Sequence, residues 1–389
     1  MNAAATGSPG DWLLHTVMPW WRDHVVDAGG GYFEGLDANG AVVTGARRTT
    51  LAQARLVYVF SHAAVATGDE SMLRAARHGR DFLEARCRDP RTGGWYRAID
   101  AAGAADPVHD AYDHAFVLFA LAWLYRATGD ESCRALAADT RAFMAARLAD
   151  PAHGGFREEC GAGPRPPPAF RRQNPHMHLL EACLAWHAVD AVGPWLADAR
   201  AIVDLFERHF FDPATGSLIE YFAPDWSPAA GADGRWREPG HQFEWVWLLD
   251  AYGRHEHRPS LDARAEALWQ FGTRFGIERD VAPLGLAFDG VDADGTIRAD
   301  TKLLWPQTEF IKACAVRAEM QGDAGARAAG SAAYETMRRA YFDRDQVRWV
   351  NQLTREGRPS QRAAPSRILY HVFLAVAEHD RVIRAAPPG

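Results

Sequence analysis

The stretch Glu238-Pro239-Gly240-His241-Gln242-Phe243-Glu244-Trp245 sets a histidine and a carboxylate three residues apart, directly before the apolar run Val246-Trp247-Leu248-Leu249. Pro239 and Gly240 punctuate the backbone and the run behind them reads as a helix. His241 and Glu244 therefore share one face of its first turn. Histidine titrates near neutral pH, and a carboxylate one turn away fixes its tautomer or shares a substrate hydroxyl. General acid–base chemistry is the functional expectation, and a capped helix with a histidine at its mouth is the structural alternative.

Other stretches offer partners. Asn174-Pro175 reads as an N-cap and an N1 proline, followed by His176 and His178, and Trp305-Pro306 opens a helix that carries Gln307 and Glu309 in its early turns. Arg55, Tyr112 and His114 sit near the starts of two further apolar helices, and His371 lies inside Ile368-Leu369-Tyr370-His371-Val372-Phe373. Polar groups at the mouths of apolar helices have no packing purpose, so they are expected to line a common site. Trp305 beside such a cavity suits stacking on a sugar face. Against this, His371 also suits a hydrogen-bonded core histidine, and Arg55 a structural salt bridge with Glu244 or Glu309. His255 and His257 fall in a polar turn and read as solvated.

The elements that must position these residues repeat. Ala66-Thr67-Gly68-Asp69-Glu70-Ser71 recurs as Ala127-Thr128-Gly129-Asp130-Glu131-Ser132, and Asp89-Pro90 with Gly93-Gly94-Trp95 recurs as Asp150-Pro151 with Gly154-Gly155-Phe156. Both pairs keep the same offset, which marks a structural repeat. Looser copies follow at Ala191-Val192-Gly193, at His241 and at Pro306. In each copy the first helix (51–66, for example) is apolar nearly all round, and the second (70–86) carries one apolar stripe, so the first is expected inside and the second outside. The short aromatic segments between copies suit hairpins or loops at one end. Helical pairs from about 50 to 343, joined by an N-terminal helix over 11–26 and a C-terminal one over 366–379, make six hairpins. The expectation is a single-domain all-α (α/α)6 barrel spanning 1–389, its inner helices around a central cavity. An open helical solenoid serving as a binding scaffold is the alternative.

Composition narrows the chemistry. The net charge of −7 and the scattered arginines argue against nucleic acid or an anionic membrane as partner. No leader-like pattern opens the chain and no apolar run is long enough to span a bilayer, which reads as a cytoplasmic monomer or homodimer. The five cysteines are scattered and suggest neither a disulfide framework nor a zinc knuckle. Lysine occurs only at Lys302 and Lys312, leaving two candidates for Schiff-base chemistry, and no glycine-rich phosphate loop is present.

A ring of His, Arg, Glu, Asn, Gln and Trp fits a small sugar. Two histidines flanking an open-chain aldose can move a proton from C2 to C1 through a cis-enediolate held by a cation such as Arg55. That is aldose–ketose isomerisation without metal or cofactor; return of the proton to the opposite face of C2 is epimerisation. A metal set of His178, His241, Glu244 and His371 is disfavoured, because the spacing is H-x-x-E and not H-E-x-x-H. Glycoside hydrolysis would need an acidic pair, whereas the motifs here carry mainly histidines.

The motifs Asn174-Pro175-His176-Met177-His178-Leu179-Leu180-Glu181-Ala182, Pro239-Gly240-His241-Gln242-Phe243-Glu244-Trp245 and Trp305-Pro306-Gln307-Thr308-Glu309 resemble the N-acylglucosamine 2-epimerase superfamily along essentially the whole chain. Within it the similarity is greatest to the D-mannose isomerases and their relatives acting on sulfoquinovose. The resemblance implies an (α/α)6 barrel with a metal-free cavity and His241 and His371 as general acid and base. It further implies Arg55 on the reacting oxygens, Asn174 and His178 on the sugar, Glu244 as partner carboxylate and Trp305 as stacking aromatic. Leu304-Trp305 stands where related epimerases often show two tryptophans, and the glycine-rich stretch of the nucleotide-responsive members is missing. Both features tilt the expectation toward D-mannose/D-fructose isomerisation, extending to aldoses such as D-lyxose. A sugar 2-epimerase of the N-acylglucosamine or cellobiose type comes second and a non-catalytic sugar-binding toroid third.

Overall fold

The Ala-Thr-Gly-Asp-Glu-Ser repeat is a helix stop followed by a helix start. Gly68 and Gly129 end their helices at φ of 70° and 66°, a left-handed conformation that glycine adopts without steric cost. Asp69 and Asp130 then cap the next helices, accepting the backbone N–H of Ser71 at 2.7 Å and of Ser132 at 2.9 Å.

The structure, a computed structural model, describes residues 7–161 and 170–385; residues 1–6, part of the stretch read for a leader, lie outside these. The inner helices are α2 (Thr50–Thr67), α4 (Ala111–Thr128), α6 (Asn174–His187), α8 (Pro239–Gly253), α10 (Leu304–Met320) and α12 (Leu369–Arg384). The outer helices are α3 (Glu70–Phe82), α5 (Glu131–Phe143), α7 (Trp195–Leu205), α9 (Pro259–Phe275), α11 (Ala324–Tyr341) and the composite α1, built of Pro9–Trp12, Leu13–Val17 and Met18–Val25. The burial contrast expected from the sequence is present. α2 buries all of 52–64 except His62, whereas α3 buries only Met72, Ala75, Ala76 and Gly79, a single stripe at helical spacing.

Short antiparallel strands gather at one end, and one of them leads into each of five inner helices: Arg48–Thr49 into α2, His109–Asp110 into α4, Arg171–Arg172 into α6, Trp236–Arg237 into α8 and Lys302–Leu303 into α10. The N-terminal mouths of the inner helices therefore share that end. In five of them a polar side chain of the first turn ties down the preceding loop. Gln53 pairs through both amide atoms with the backbone of Tyr32 (2.7 and 2.9 Å), and Gln307 likewise with Ala287 (2.6 and 2.9 Å). Gln242 accepts from the N–H of Leu218 at 2.8 Å. His114 and His176 do the same with Nε2, which accepts the N–H of Trp95 (3.1 Å) and of Phe156 (2.9 Å). Buried backbone groups that no strand partner satisfies are met this way.

The ring closes where the two termini meet. Gly35–Leu36 pairs antiparallel with Ala364–Pro365. Trp21 of α1 stacks on Trp349 with ring centres 4.2 Å apart and donates its indole N–H to the Val347 carbonyl at 2.7 Å. Gly10 lies so close to α12 that an added Cβ would stand 2.4 Å from the Asp380 carboxylate. Among the described residues no helix is long and apolar enough to cross a membrane.

Candidate active site

A cavity of about 260 Å³ opens among the inner-helix mouths, in scale with a single small ligand. Arg55, Tyr112, Asn174, His178, His241, Glu244, Trp305 and His371 all line it, so helices far apart in sequence bring their polar first turns to one place.

His241 is held by two carboxylates. Its Nδ1 donates to Glu220 at 2.9 Å, with Glu238 at 3.5 Å. Burial opposes charge on the ring, but Glu220 and then Glu238 outweigh it and raise its pKa to about 10. Glu220 is itself fixed by the Gln173 amide at 2.9 Å. Nε2 of His241 stands 3.4 Å from the Asn174 amide nitrogen, and the Asn174 oxygen has no hydrogen-bond partner among the described residues. Turning that amide over sets the oxygen on the imidazolium N–H.

His371 has the opposite surroundings. Its Nδ1 meets Glu309 at 2.8 Å, and burial, followed by the cations Arg55 and Lys312, holds the ring well below the ordinary histidine pKa. One histidine is thus kept as imidazolium and the other as neutral imidazole, an acid and a base from the same side chain. Trp305 lies against both, its ring centre 4.9 Å from that of His241 and 5.8 Å from that of His371. Gly240 makes room for the indole, since a Cβ there would lie 2.4 Å from Trp305 Cζ3.

Arg55 is buried at 3% exposure and makes no ion pair among the described residues, contrary to the salt bridge with Glu244 or Glu309 weighed from sequence. Its guanidinium donates to the Tyr112 hydroxyl at 2.8 Å and lies 4.2 Å over Phe116 and 4.8 Å over Tyr370, with Nε unpartnered. A buried cation without a counter-ion is ready for anionic oxygens. His178 contacts Tyr112 and Phe116, pairs with Glu181 at 3.2 Å and is pushed down to about 3 by burial.

Several expectations need correction. Glu244 is not the carboxylate that fixes His241; it faces the Lys312 ammonium at 3.6 Å, and Glu220 takes its place. Gln307 does not reach the cavity, because its amide is spent on the Ala287 backbone and the Leu303 carbonyl. Glu309 is fully buried behind His371 and does not line the cavity. His114 and His176 face the outer loops for the reason given above. Asn174 is the first residue of α6 and not its N-cap, so its side chain is free to reach His241. His255 and His257 are exposed, as expected.

Glu220 and Glu181 carry no role in the sequence reading, and Lys312 enters it only as a candidate for Schiff-base chemistry. Glu181 repeats behind His178 the same H-x-x-E spacing noted at His241, and Lys312 is one of two lysines in the chain, set in an apolar helix. Glu220 is the lone acid of Leu218-Ile219-Glu220-Tyr221-Phe222, a weaker signal. Glu244, Glu309 and His371 approach within 4.8 Å of one another, yet the Lys312 ammonium already sits against both carboxylates, so this donor set fits a metal ion poorly.

Residues 31–375 match the family described as N-acylglucosamine 2-epimerase (GlcNAc 2-epimerase). Over 97% of this chain and 97% of the other, the sequence is 33% identical to the mannose-6-phosphate isomerase of Rhizobium meliloti (strain 1021). It is 28% identical to the D-mannose isomerase of Pseudomonas cannabina pv. alisalensis, over 88% of this chain and 86% of that one. Among solved structures, a D-mannose isomerase aligns at a TM-score of 0.87 over 99% of this chain and 100% of the other, at 19% identity. The cellobiose 2-epimerase from Bacillus thermoamylovorans B4167 also reaches 0.87, over 97% and 98%, at 20% identity. At such identities the structural likeness establishes the (α/α)6 fold and does not separate the two reactions.

Proposed function

Because this chain belongs to the N-acylglucosamine 2-epimerase family, whose relatives named above are sugar isomerases and epimerases, we propose that it is an aldose–ketose isomerase interconverting D-mannose and D-fructose without a metal. The observation that carries this reading is the opposite electrostatic setting of His241 and His371, which line one cavity and both pack against Trp305.

On the open-chain aldose, neutral His371 takes the C2 proton while the imidazolium of His241 gives a proton to O1. Electrons of the C2–H bond become the C1–C2 double bond, and those of the carbonyl π bond take the proton on O1. The cis-enediol and its anion have both oxygens on one side, where the guanidinium of Arg55 stabilises developing charge. His241 then removes the proton from O2 as the C2 carbonyl forms, and His371 returns its proton to C1. The product is the ketose, with no net oxidation and both histidines restored. Tyr112, Asn174, His178 and Glu244 supply hydroxyl partners along the wall. The cavity volume supports a monosaccharide, and Leu304, fully buried, leaves Trp305 as the stacking indole, which supports the isomerase over the 2-epimerase.

A second substrate reading rests on Arg367. It lines the cavity rim, is exposed and makes no ion pair among the described residues, which favours an anionic substituent such as the 6-phosphate of mannose. The relative named mannose-6-phosphate isomerase supports it.

Both sugars should be incubated with the protein after exhaustive chelation and followed by NMR in D2O. Fructose, or fructose 6-phosphate, carrying deuterium at C1 is the expected product. Glucose without fructose would show epimerisation instead, and loss of activity on chelation would overturn the metal-free mechanism. Arg367→Ala should lower kcat/KM only for the phosphorylated sugar if that is the substrate.

A further inference from the structure

Behind the two histidines lies a buried charge cluster that the proton transfers above leave unused. Lys312 has no exposed surface; its Nζ stands 2.5 Å from Glu309 Oε2, 3.6 Å from Glu244 Oε1 and 4.4 Å from the centre of the Trp247 ring. The other oxygen of Glu309 is the one that meets His371 Nδ1, at 2.8 Å. Lys312 and the base are therefore joined through a single carboxylate.

We infer that Lys312 is a positioning residue that selects which nitrogen of His371 acts, by holding Glu309 as a carboxylate so that the ring proton stays on Nδ1 and the Nε2 lone pair faces the sugar. The inference rests on the acid–base reading of His371 given above. An ionised carboxylate can only accept, whereas a carboxylic acid donates. Were Glu309 protonated, its O–H would donate to Nδ1 and the ring's own proton would move to Nε2. A donor would then stand where the reaction needs a base.

The charges facing Glu309 make this balance delicate. Burial favours its protonated form, and so do Glu244 from α8 and Glu181 from α6; against them stands Lys312 on its own helix, and the net effect raises the carboxyl to about 8, so Lys312 keeps the carboxylate, and with it the free Nε2, within reach only at and above that pH. His371 from α12 and the Thr308 hydroxyl, which donates to Glu309 Oε1 at 3.3 Å, also meet this carboxyl, and Tyr370 beside them donates to Glu181 at 2.5 Å and stacks under Arg55. Of these three buried carboxylates, Glu309 and Glu244 face the Lys312 ammonium. Without the ammonium, Arg55 alone would remain, and it reaches toward Tyr112 and the Arg367 carbonyl, not toward Glu309. A purely structural role for Lys312, as counter-ion in the core, predicts lost stability with no change in the pH at which activity appears.

The test compares pH profiles of kcat/KM for the full-length enzyme, Lys312→Met and Lys312→Arg. Lys312→Met should move the acid limb up by about one pH unit or more, a roughly tenfold loss at neutral pH that recovers at higher pH, with KM within about twofold. Lys312→Arg should leave the limb near its original position, and Lys312→Met should shift it no further in a Glu309→Gln background. A loss uniform across pH would overturn the inference. If Lys312→Met does not fold, the wild-type protein still decides: 15N NMR of labelled histidine, with His371 identified by its absence from His371→Gln, should show Nδ1 protonated and Nε2 free at pH 9.5, above the Glu309 value. A proton on Nε2 would overturn the inference. This readout needs no substrate, so an Nδ1–H tautomer in a protein that converts no sugar would sink the proposed function and leave the role of Lys312 standing.

Discussion

His241 and His371 are one residue type in two environments, and the environment assigns the chemistry. His241→Ala and His371→Ala should each lower kcat by roughly two to four orders of magnitude with the fold retained, the usual scale for an acid–base group; circular dichroism separates this from unfolding. The raised pKa of His241 has a second consequence. Its folded value, about 10, lies above the ordinary 6.5, so the ion pair with Glu220 stabilises fully below pH 6.5 and is lost as the pH climbs toward 10. Denaturant unfolding of wild type and His241→Gln should therefore converge across that window, and parallel curves would rule the pairing out. Residue types at this scale were legible, whereas partners were not. The H-x-x-E spacing does make a bond at His178 and Glu181, but His241 turns to Glu220, 21 positions upstream. Helical periodicity says which residues share a face; it does not say which competing carboxylate a neighbouring hairpin will present.

At the scale of elements, the polar residue in the first turn of each inner helix has two possible duties, and sequence alone does not distinguish them. Gln53, His114, His176, Gln242 and Gln307 fasten a loop, while Arg55, Tyr112, His178, His241 and Glu244 face the cavity. Where both occur on one helix they lie one or two positions apart, which is a rotation of a hundred degrees or more, enough to exchange wall for cavity. Removing a fastening amide leaves buried backbone groups unpaired, so Gln53→Ala and Gln242→Ala should each cost about 1–3 kcal/mol. They should differ in activity. The loop held by Gln242 at Leu218 carries Glu220 two residues on, so Gln242→Ala should also lower kcat and shift the pH profile, while Gln53→Ala should leave the profile in place. Equal effects on catalysis would show that the loop does not transmit to His241.

At the scale of the molecule, the site exists because the array closes. His371 lies on α12, whose outer face is covered by α1, and the seam is made by Trp21 on Trp349, by Gly10 against Asp380 and by the pairing of Gly35–Leu36 with Ala364–Pro365. Deleting residues 1–26 should expose that aromatic seam, lower Tm sharply and abolish activity although no cavity-lining residue is removed; thermal melting and turnover together check this, and a truncated protein of unchanged Tm would refute it. From the sequence by itself came the repeat, the inner and outer helices, the six hairpins and most of the residues at their mouths. All of these follow from periodicity and capping, which act over a few residues and leave a local trace. Only the tertiary structure decided that Glu220 and not Glu244 grips His241, that Gln307 and Glu309 stand off the cavity, and that Lys312 lies behind His371. Each of those contacts joins separate helices or depends on how a helix is rotated about its axis, and it is the closing of the ring that sets that rotation.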